Sequence, residues 1–407
     1  MVLLYNIAIR VYYFFIFVAS LWNEKAKKWI AGRRNTEKDI IAKKDNNKRT
    51  IWFHCASVGE YEQALPLIKI CRQKYSGFQI LTTFYSPSGY EYARNKFPGE
   101  WVSYLPLDTK NNMAAFIAEV NPALVFIIKY EFWHHLLSQL NKRSIPLFLV
   151  SGIFRKEQVF FKSAGFFHRK MLGFFTHLFV QNESSKMLLK TIHIENVSVA
   201  GDTRFDRVAE NKNEAFYDEK IERFLTTDRI FIAGSVWDSD IPVLKEIMNA
   251  LPADWKIILA PHEINHFHTG WIQDEYAFYT GNENEQSRIL IIDTIGILSK
   301  LYRYGKFVYV GGGFGKGIHN ILEPAVYLKP ILIGGNYSKF AEAVELVREG
   351  AVFSIKEENA ADFVKKILLD ENKYKQAERR LMAYISTNTN LSEKIIVYVS
   401  RYLNFLK

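Results

Sequence analysis

The 407-residue chain has only two cysteines, Cys55 and Cys71, with no paired spacing. That excludes a disulfide framework and a CxxC metal signature, and it fits a reducing compartment. Low-complexity tracts and internal repeats are absent, so nothing points away from a globular protein. The phosphate-binding motifs with the most specific spacing are missing too. There is no GxxxxGK[ST] loop, and the one glycine-rich stretch lacks the spacing of a dinucleotide fingerprint followed by a ribose-binding acid.

What is present is length, an apolar start and an uneven charge. A chain of this size is too long for one ordinary core, and two domains of about 200 residues are expected. The net charge is +10. Between Glu24 and Arg49 ten Lys/Arg stand against four acids, so this segment supplies six of the ten excess charges. Before it lies the almost wholly apolar "MVLLYNIAIRVYYFFIFVASLW". A secretory signal fits poorly, because the charges follow the apolar run instead of preceding it. A membrane span needs about 20 apolar residues, and Asn6 and Arg10 interrupt the run. At about 100° per residue Asn6, Arg10, Ser20 and Glu24 fall in one stripe, which suits a helix lying in a bilayer interface with Tyr12, Tyr13 and Trp22 at headgroup level. A core helix of a soluble protein is the third alternative. In either membrane case the basic flank keeps the rest of the chain cytoplasmic. Because the charge is concentrated beside the apolar run, a membrane surface explains it better than a nucleic acid.

After residue 50, short β-branched runs alternate with helical patterns. "TIWFHCAS", "FQILTTF", "ALVFIIKY", "PLFLVSG", "HLFVQN" and "VSVAG" read as strands of a first half. "RIFIAGS", "KIILAPH", "RILIID", "KFVYVGGG", "PILIGG" and "AVFSI" read as strands of a second. Continuously apolar strands separated by helices predict an α/β protein with parallel sheets covered on both faces. The most charged break runs from Asp206 to Arg229. The expected division is 1–49 as membrane-associated helix and basic linker, 50–206 and 207–385 as two Rossmann-like domains, and 386–407 as a helix packing back on the first. Ligands of such sheets bind outside the carboxyl ends of the strands, and the shared cleft between two domains is the expected site.

At those strand ends the strongest signal is "VYVGGGFGKGIHNILEPAVYLKPILIGG". Glycines after a strand let backbone approach a ligand, and a following helix start offers amides to phosphate. His319, Asn320 and Glu323 lie within five residues there; Glu323 either receives ribose hydroxyls or is a first-turn capping acid. In "HCASVGEYEQALPLI" a glutamate, Glu60, opens an amphipathic helix. It is either an ordinary helix-start acid or a base, and a helix N-terminus predicts that it is charged at pH 7. His54 and Cys55 are strand neighbours on opposite faces and cannot pair; Cys55 reads as a buried small residue and His54 as support for the loop before Glu60.

Six motifs in order, "CASVGEYEQALPLI", "YEFW", "GDTRFD", "AGSVWDSD", "GIHNILEPA" and "FAEAVELVREGA", resemble the bacterial 3-deoxy-D-manno-octulosonic acid (Kdo) transferases. These are GT-B glycosyltransferases, with two Rossmann-like domains whose parallel sheets face a central cleft. The resemblance implies an inverting, metal-independent transfer of Kdo from CMP-Kdo to a phosphorylated lipid A precursor, lipid IVA, on the cytoplasmic face of the inner membrane. No cofactor beyond the donor substrate and no nucleic acid is implied. It implies Glu60 as general base. Arg204, Ser235, Trp237, His262, Gly312, Gly317, His319, Asn320 and Glu323 are implied for the donor, and Lys129, Glu131 and Arg155 for the acceptor.

The sequence departs from the family pattern at several of these places. "ETELWP" is "KYEFWH", so an acid has become Lys129. "PRHPER" has shrunk to "APHE", and Lys316 and Lys339 stand in unfamiliar positions. Another GT-B enzyme using a UDP-sugar and a lipid or cell-wall acceptor is the alternative, along with a non-catalytic membrane-associated binding protein.

Overall fold

The computed structural model describes residues 1–34, 36–281 and 286–404. The side chains of Glu37 and Lys38, both counted in the basic segment, and residues 405–407 of the expected C-terminal helix lie outside the described residues. The chain divides into two units, Met1–Arg207 with Asn390–Lys407, and Val208–Thr389.

The first unit holds seven strands: β1 (Thr50–Cys55), β2 (Gln79–Phe84), β3 (Trp101–Tyr104), β4 (Pro122–Ile128), β5 (Leu147–Gly152), β6 (His177–Val180) and β7 (Val197–Val199). They form one parallel sheet in the order β3-β2-β1-β4-β5-β6-β7. The second unit holds β8 (Ile230–Val236), β9 (Lys256–Pro261), β10 (Tyr276–Phe278), β11 (Ile289–Ile291), β12 (Phe307–Val310), β13 (Ile331–Ile333) and β14 (Val352–Ser354). Its order is β10-β11-β9-β8-β12-β13-β14, again parallel.

Every apolar run expected to be a strand is one. The two that the sequence did not announce, β3 and β10, have four and three residues and lie at sheet edges. Too short to show a period, they form because an inner strand offers hydrogen-bonding groups. "KYEFWH" follows β4, the fourth strand of the chain. The inner strands have no polar face because both faces are covered. Trp52, Val125, Ile127, Leu147 and Leu149 enter one core, whereas their neighbours Ile51, Phe53, Leu124, Phe126 and Phe148 enter the other. Alternation along each strand thus sorts side chains between two apolar clusters instead of between core and water.

In the first unit the helices α1 (Val2–Ala19), α2 (Glu24–Arg34) and α3 (Thr36–Lys43) precede the sheet. They are followed by α4 (Val58–Lys74), α5 (Pro87–Lys96), α6 (Lys110–Val120) and α7 (His134–Lys142). The helix Leu391–Asn404 returns to this unit. Its Ile395, Ile396, Val399 and Leu403 join the core of Ile51 and Phe53. The Asp206 carboxylate accepts from the amides of Leu391 (3.1 Å) and Ser392 (2.6 Å), satisfying donors that a helix start leaves without partners.

Only Ile9 of α1 is buried, while Leu3, Phe14 and Phe15 are 71%, 59% and 65% exposed. Among the described residues α1 is the one helix long and apolar enough to cross a membrane by length and composition. This exposure does not fit the core-helix alternative. Asn6, expected in a stripe facing water, instead turns to the protein: its Oδ1 lies 2.6 Å from His135 Nε2. The neighbouring Tyr5 hydroxyl donates to Asp108 at 2.6 Å. Because Asp108 also accepts from the amides of His135 and Leu136, the first turn of α7 is capped by the carboxylate that holds α1.

Candidate active site

In the first unit, charged side chains gather at the carboxyl ends of β1, β4, β5 and β7. Ser57 is the N-cap of α4 and Glu60 its third residue. The spacing S-x-x-E is that of a capping box, in which the acid reaches back to free amides. Glu60 does so: Oε2 accepts from Ala56 N–H, and the Ser57 amide also bonds the carboxylate. The capping role is therefore real, but it does not exhaust the residue. Two amides occupy two of about four lone-pair positions on a carboxylate. Glu60 is also only 8% exposed.

The expectation that Glu60 is fully charged at pH 7 is corrected by this burial, which pushes its pKa up to about 7. The Ala56 amide opposes the rise, Glu131 adds to it, and Lys129 and the Ser57 amide oppose it. Helix-start amides stabilise an anion, but here desolvation is the larger effect.

Lys129, directly after β4, takes a left-handed φ of 61°, uncommon for a residue with a Cβ. Its amide donates to Val150 O at 2.9 Å. Its cation lowers the pKa of both Glu60 and Asp202, which places it within electrostatic reach of the two. Glu131 Oε2 accepts from Trp133 Nε1 at 2.6 Å and lies 3.4 Å from His54 Nε2. His54 Nδ1 is 2.8 Å from Thr83 Oγ1, a hydroxyl that already accepts from Trp52 Nε1 at 2.8 Å. The Thr83 hydroxyl can therefore donate to Nδ1, leaving the Nε2 proton for Glu131. His54 fixes Glu131 rather than the loop before Glu60, and Cys55 is fully buried. Tyr130, which the sequence reading did not single out, has its hydroxyl pKa raised by burial, with Arg155 opposing and Glu60 and Asp202 adding to the rise. Arg155 is thus within electrostatic reach of that hydroxyl.

Arg204, expected at the donor, belongs to the first unit. Its Nε and Nη2 bind Asp202 Oδ2 at 2.9 and 2.6 Å. Asp202 also receives Gln63 and Gln181 at 2.8 and 3.0 Å. Burial alone would push the Asp202 carboxyl up, but Arg204 and Lys129 outweigh it and hold the pKa at about 2. Asp202 was legible only as part of the quoted "GDTRFD".

The second unit builds a different kind of site. Trp237, His262 and His319, from the ends of β8, β9 and β12, are stacked: Trp237 on His262 at 4.4 Å and 23°, His262 on His319 at 4.3 Å and 30°. Trp237 Nε1 donates to His319 Nε2 at 2.7 Å, so the neutral ring carries its proton on Nδ1. Burial and then His262 push the His319 pKa down to about 4, which keeps it neutral. Asp240, which the sequence reading passed over in "AGSVWDSD", organises the loops. Fully buried, it accepts from the amides of Trp237 (2.9 Å) and Gly312 (2.8 Å) and from the Tyr309 hydroxyl (2.7 Å).

The glycines of this unit are required by contact. A Cβ on Gly311 would lie 2.3 Å from Ser235 O, and one on Gly313 would lie 2.6 Å from Gly334. Gly312 and Gly317 take φ of +90° and +132°. Ser235 itself takes φ 54° at the end of β8. A cavity of about 440 Å³ opens here, lined by Trp237, Ser239, Glu263, Lys316, Gly317 and His319 among others. Lys316 Nζ sits 5.9 Å from the Trp237 ring centroid. Asn320 and Glu323 stand just beyond, with Asn320 Nδ2 donating to Glu323 Oε1 at 3.2 Å and Asn320 Oδ1 accepting from Leu322 N–H at 3.1 Å. Among the described residues no group of three His, Cys, Asp or Glu side chains is placed to hold a metal ion.

Comparison with known proteins follows the same lines. Residues 32–207 match the family described as 3-deoxy-D-manno-octulosonic-acid transferase (kdotransferase). A bifunctional glycosyltransferase/methyltransferase of Fusobacterium nucleatum is 25% identical over 94% of this chain, which spans 61% of that relative's length. A 3-deoxy-D-manno-octulosonic acid transferase of Chlamydia trachomatis serovar A is 26% identical over 82% of this chain and 80% of its own. Among solved structures, the UDP-GlcNAc 2-epimerase of Neisseria meningitidis bound to UDP-GlcNAc aligns with a TM-score of 0.64 at 12% identity, covering 86% of this chain and all of that one. The calicheamicin glycosyltransferase CalG4 aligns at 0.57 and 10% identity, covering 88% and 98%. At such identities the structures speak for the fold alone. Two seven-stranded parallel sheets with these neighbours make a GT-B fold, and in residues 32–207 and in relatives aligned over most of its length the chain is similar to the Kdo transferases.

Proposed function

We propose that the protein is an inverting transferase that moves Kdo from CMP-Kdo to a phosphorylated lipid A precursor, at the cytoplasmic face of the inner membrane. The observation that carries this reading is Glu60, a buried carboxylate whose pKa of about 7 leaves it half ionised at neutral pH. General-base efficiency is highest when the base titrates near the working pH. In the proposed step an acceptor hydroxyl gives its proton to Glu60 while its oxygen attacks the anomeric carbon of Kdo. The bond from that carbon to the phosphate oxygen breaks, and CMP leaves with the electron pair. Lys129 and Arg155 are assigned to the acceptor's phosphates, Glu131 to holding the geometry beside the base. In the second unit, Lys316 and His319 Nδ1–H receive the nucleotide phosphate, and the Trp237 face suits a planar ring. Glu323 is assigned to the ribose.

The reading is tested by mass spectrometry of a phosphorylated lipid A precursor after incubation with the protein and fresh CMP-Kdo. A gain of one or more Kdo masses is expected. No gain with intact donor, together with displacement of bound nucleotide by UDP in preference to CMP, would move the assignment to a UDP-sugar enzyme.

A further inference from the structure

A second cavity, of about 500 Å³, lies in the first unit away from the strand-end cluster, enclosed by α1, α2, α3, α6 and the segment after β3. Its size falls within the roughly 300–1,000 Å³ of sites that hold small molecules. Ile30, Ile40 and Phe116 form a buried apolar floor, and Leu107 and Tyr13 of α1 form walls. One wall therefore belongs to the helix whose outer face is apolar and exposed.

The rim is cationic. Arg34 is exposed there, and Arg33 lies beneath it with its guanidinium 3.6 Å from the centroid of Trp29. Arg33 donates to Trp29 O and Tyr85 O at 3.3 and 2.9 Å, and its Nε has no partner among the described residues. Among those residues neither arginine is ion-paired. The one carboxylate among the described lining residues, Glu119, is bound by Lys44 at 2.9 Å. The cavity thus combines an apolar floor, an excess of guanidinium at its mouth and a wall continuous with an exposed apolar helix.

We infer that this cavity holds one acyl chain of an anionic bilayer phospholipid, with the lipid phosphate at Arg34 and Arg33. The inference rests on the membrane reading of α1 but not on the transfer reaction. A lipid seated there fixes the depth and rotation of the first unit on the bilayer, because α1 is already bound to the unit through Tyr5 and Asn6.

The test uses the full chain on vesicles of phosphatidylglycerol that carry a diazirine midway along one acyl chain, without donor or acceptor. After irradiation, labelled peptides are mapped by mass spectrometry. Label is expected on residues 30–40 and 104–119 as well as on α1. Ala115→Trp, at an exposed lining position that would close the mouth, and Arg34→Glu should each reduce the cavity label at least about fivefold while leaving the α1 label unchanged. Label confined to α1, or a cavity label indifferent to both variants, overturns the acyl site and leaves the membrane reading intact. Absence of label from α1 and cavity alike overturns both. Circular dichroism melts of the two variants separate loss of label from loss of fold.

Discussion

The two units have nearly the same sheet and opposite chemistry at its carboxyl edge. In the first unit the strand ends carry long charged side chains, Glu60, Lys129, Glu131, Arg155 and Asp202. In the second they carry glycines, a serine and stacked rings, with one buried carboxylate, Asp240, bonded to backbone. A parallel sheet delivers loops to one edge whatever their content, so the content decides the task. Charges that perturb one another yield a group titrating near neutrality. Glycines packed backbone to backbone bring the carboxyl ends of β8, β12 and β13 close together, which a side chain would prevent. Even within the first unit the contrast holds, since Glu60 and Asp202 are both buried carboxylates, one at about 7 and the other at about 2. Burial pushes both up, and the difference is that the direct guanidinium of Arg204 outweighs it at Asp202 whereas at Glu60 burial outweighs the helix-start amides.

That contrast can be broken first at the base. Glu60→Gln keeps a capping amide at the third helical position and removes proton acceptance. Turnover should fall by about 10²–10⁴-fold with CMP affinity, measured by calorimetry, nearly unchanged; equal losses in both would make Glu60 structural. In the second unit, Asp240→Ala leaves the Trp237 and Gly312 amides and the Tyr309 hydroxyl without their acceptor. About 3 kcal/mol or more of stability should be lost and CMP binding should weaken at least about tenfold, whereas a variant with native melting and native CMP affinity would show that the loops do not depend on this anchor.

The same Glu60→Gln variant sharpens the comparison through stability. The folded-state pKa is raised from the ordinary 4.5 to about 7, so the group's contribution is fully present below 4.5 and is lost as pH rises through 7. Above pH 7 the variant should therefore be more stable than the native chain, by up to about 3 kcal/mol at ~1.4 kcal/mol per pKa unit. Parallel melting curves from pH 4.5 to 8 would refute the raised pKa. Glu323→Ala should weaken donor affinity by about tenfold, roughly one lost charged hydrogen bond; unchanged affinity would leave Glu323 as a partner of Asn320 only. The smallest effect is expected from Glu131→Gln. Removing a charge that raises the Glu60 pKa moves the acid limb of the rate profile to lower pH, by about half a unit to one unit, and a limb that stays in place would separate Glu131 from the base.

Much of this was legible from the sequence, for identifiable reasons. Inner strands announce themselves because both faces are covered, so their runs are continuously apolar. The edge strands β3 and β10 do not, because their pairing comes from a neighbour. Glu60 could be placed at a helix start by its motif, but its protonation could not be read, since the desolvation and the Glu131 charge arrive from segments distant in sequence. Trp237, His262 and His319 were each visible as strand-end residues, but their stacking was not. Asp240 and Asp202 stood inside quoted motifs without a role, because a buried acceptor is recognised only once its donors are known. The bonds of Arg204 to Asp202 were not legible either, because the motif shows both residues without their geometry.

The helix Leu391–Asn404 completes the core of the first unit only after the whole of the second has been synthesised. At about 5–20 residues per second, the ribosome leaves the apolar surface of α4 and β4 without its cover for on the order of ten to forty seconds. During that interval the first unit is an unfinished body. The capping carboxylate of Asp206 stays without the amides of Leu391 and Ser392 until then, so the step that caps this helix is also the one that covers α4 and β4.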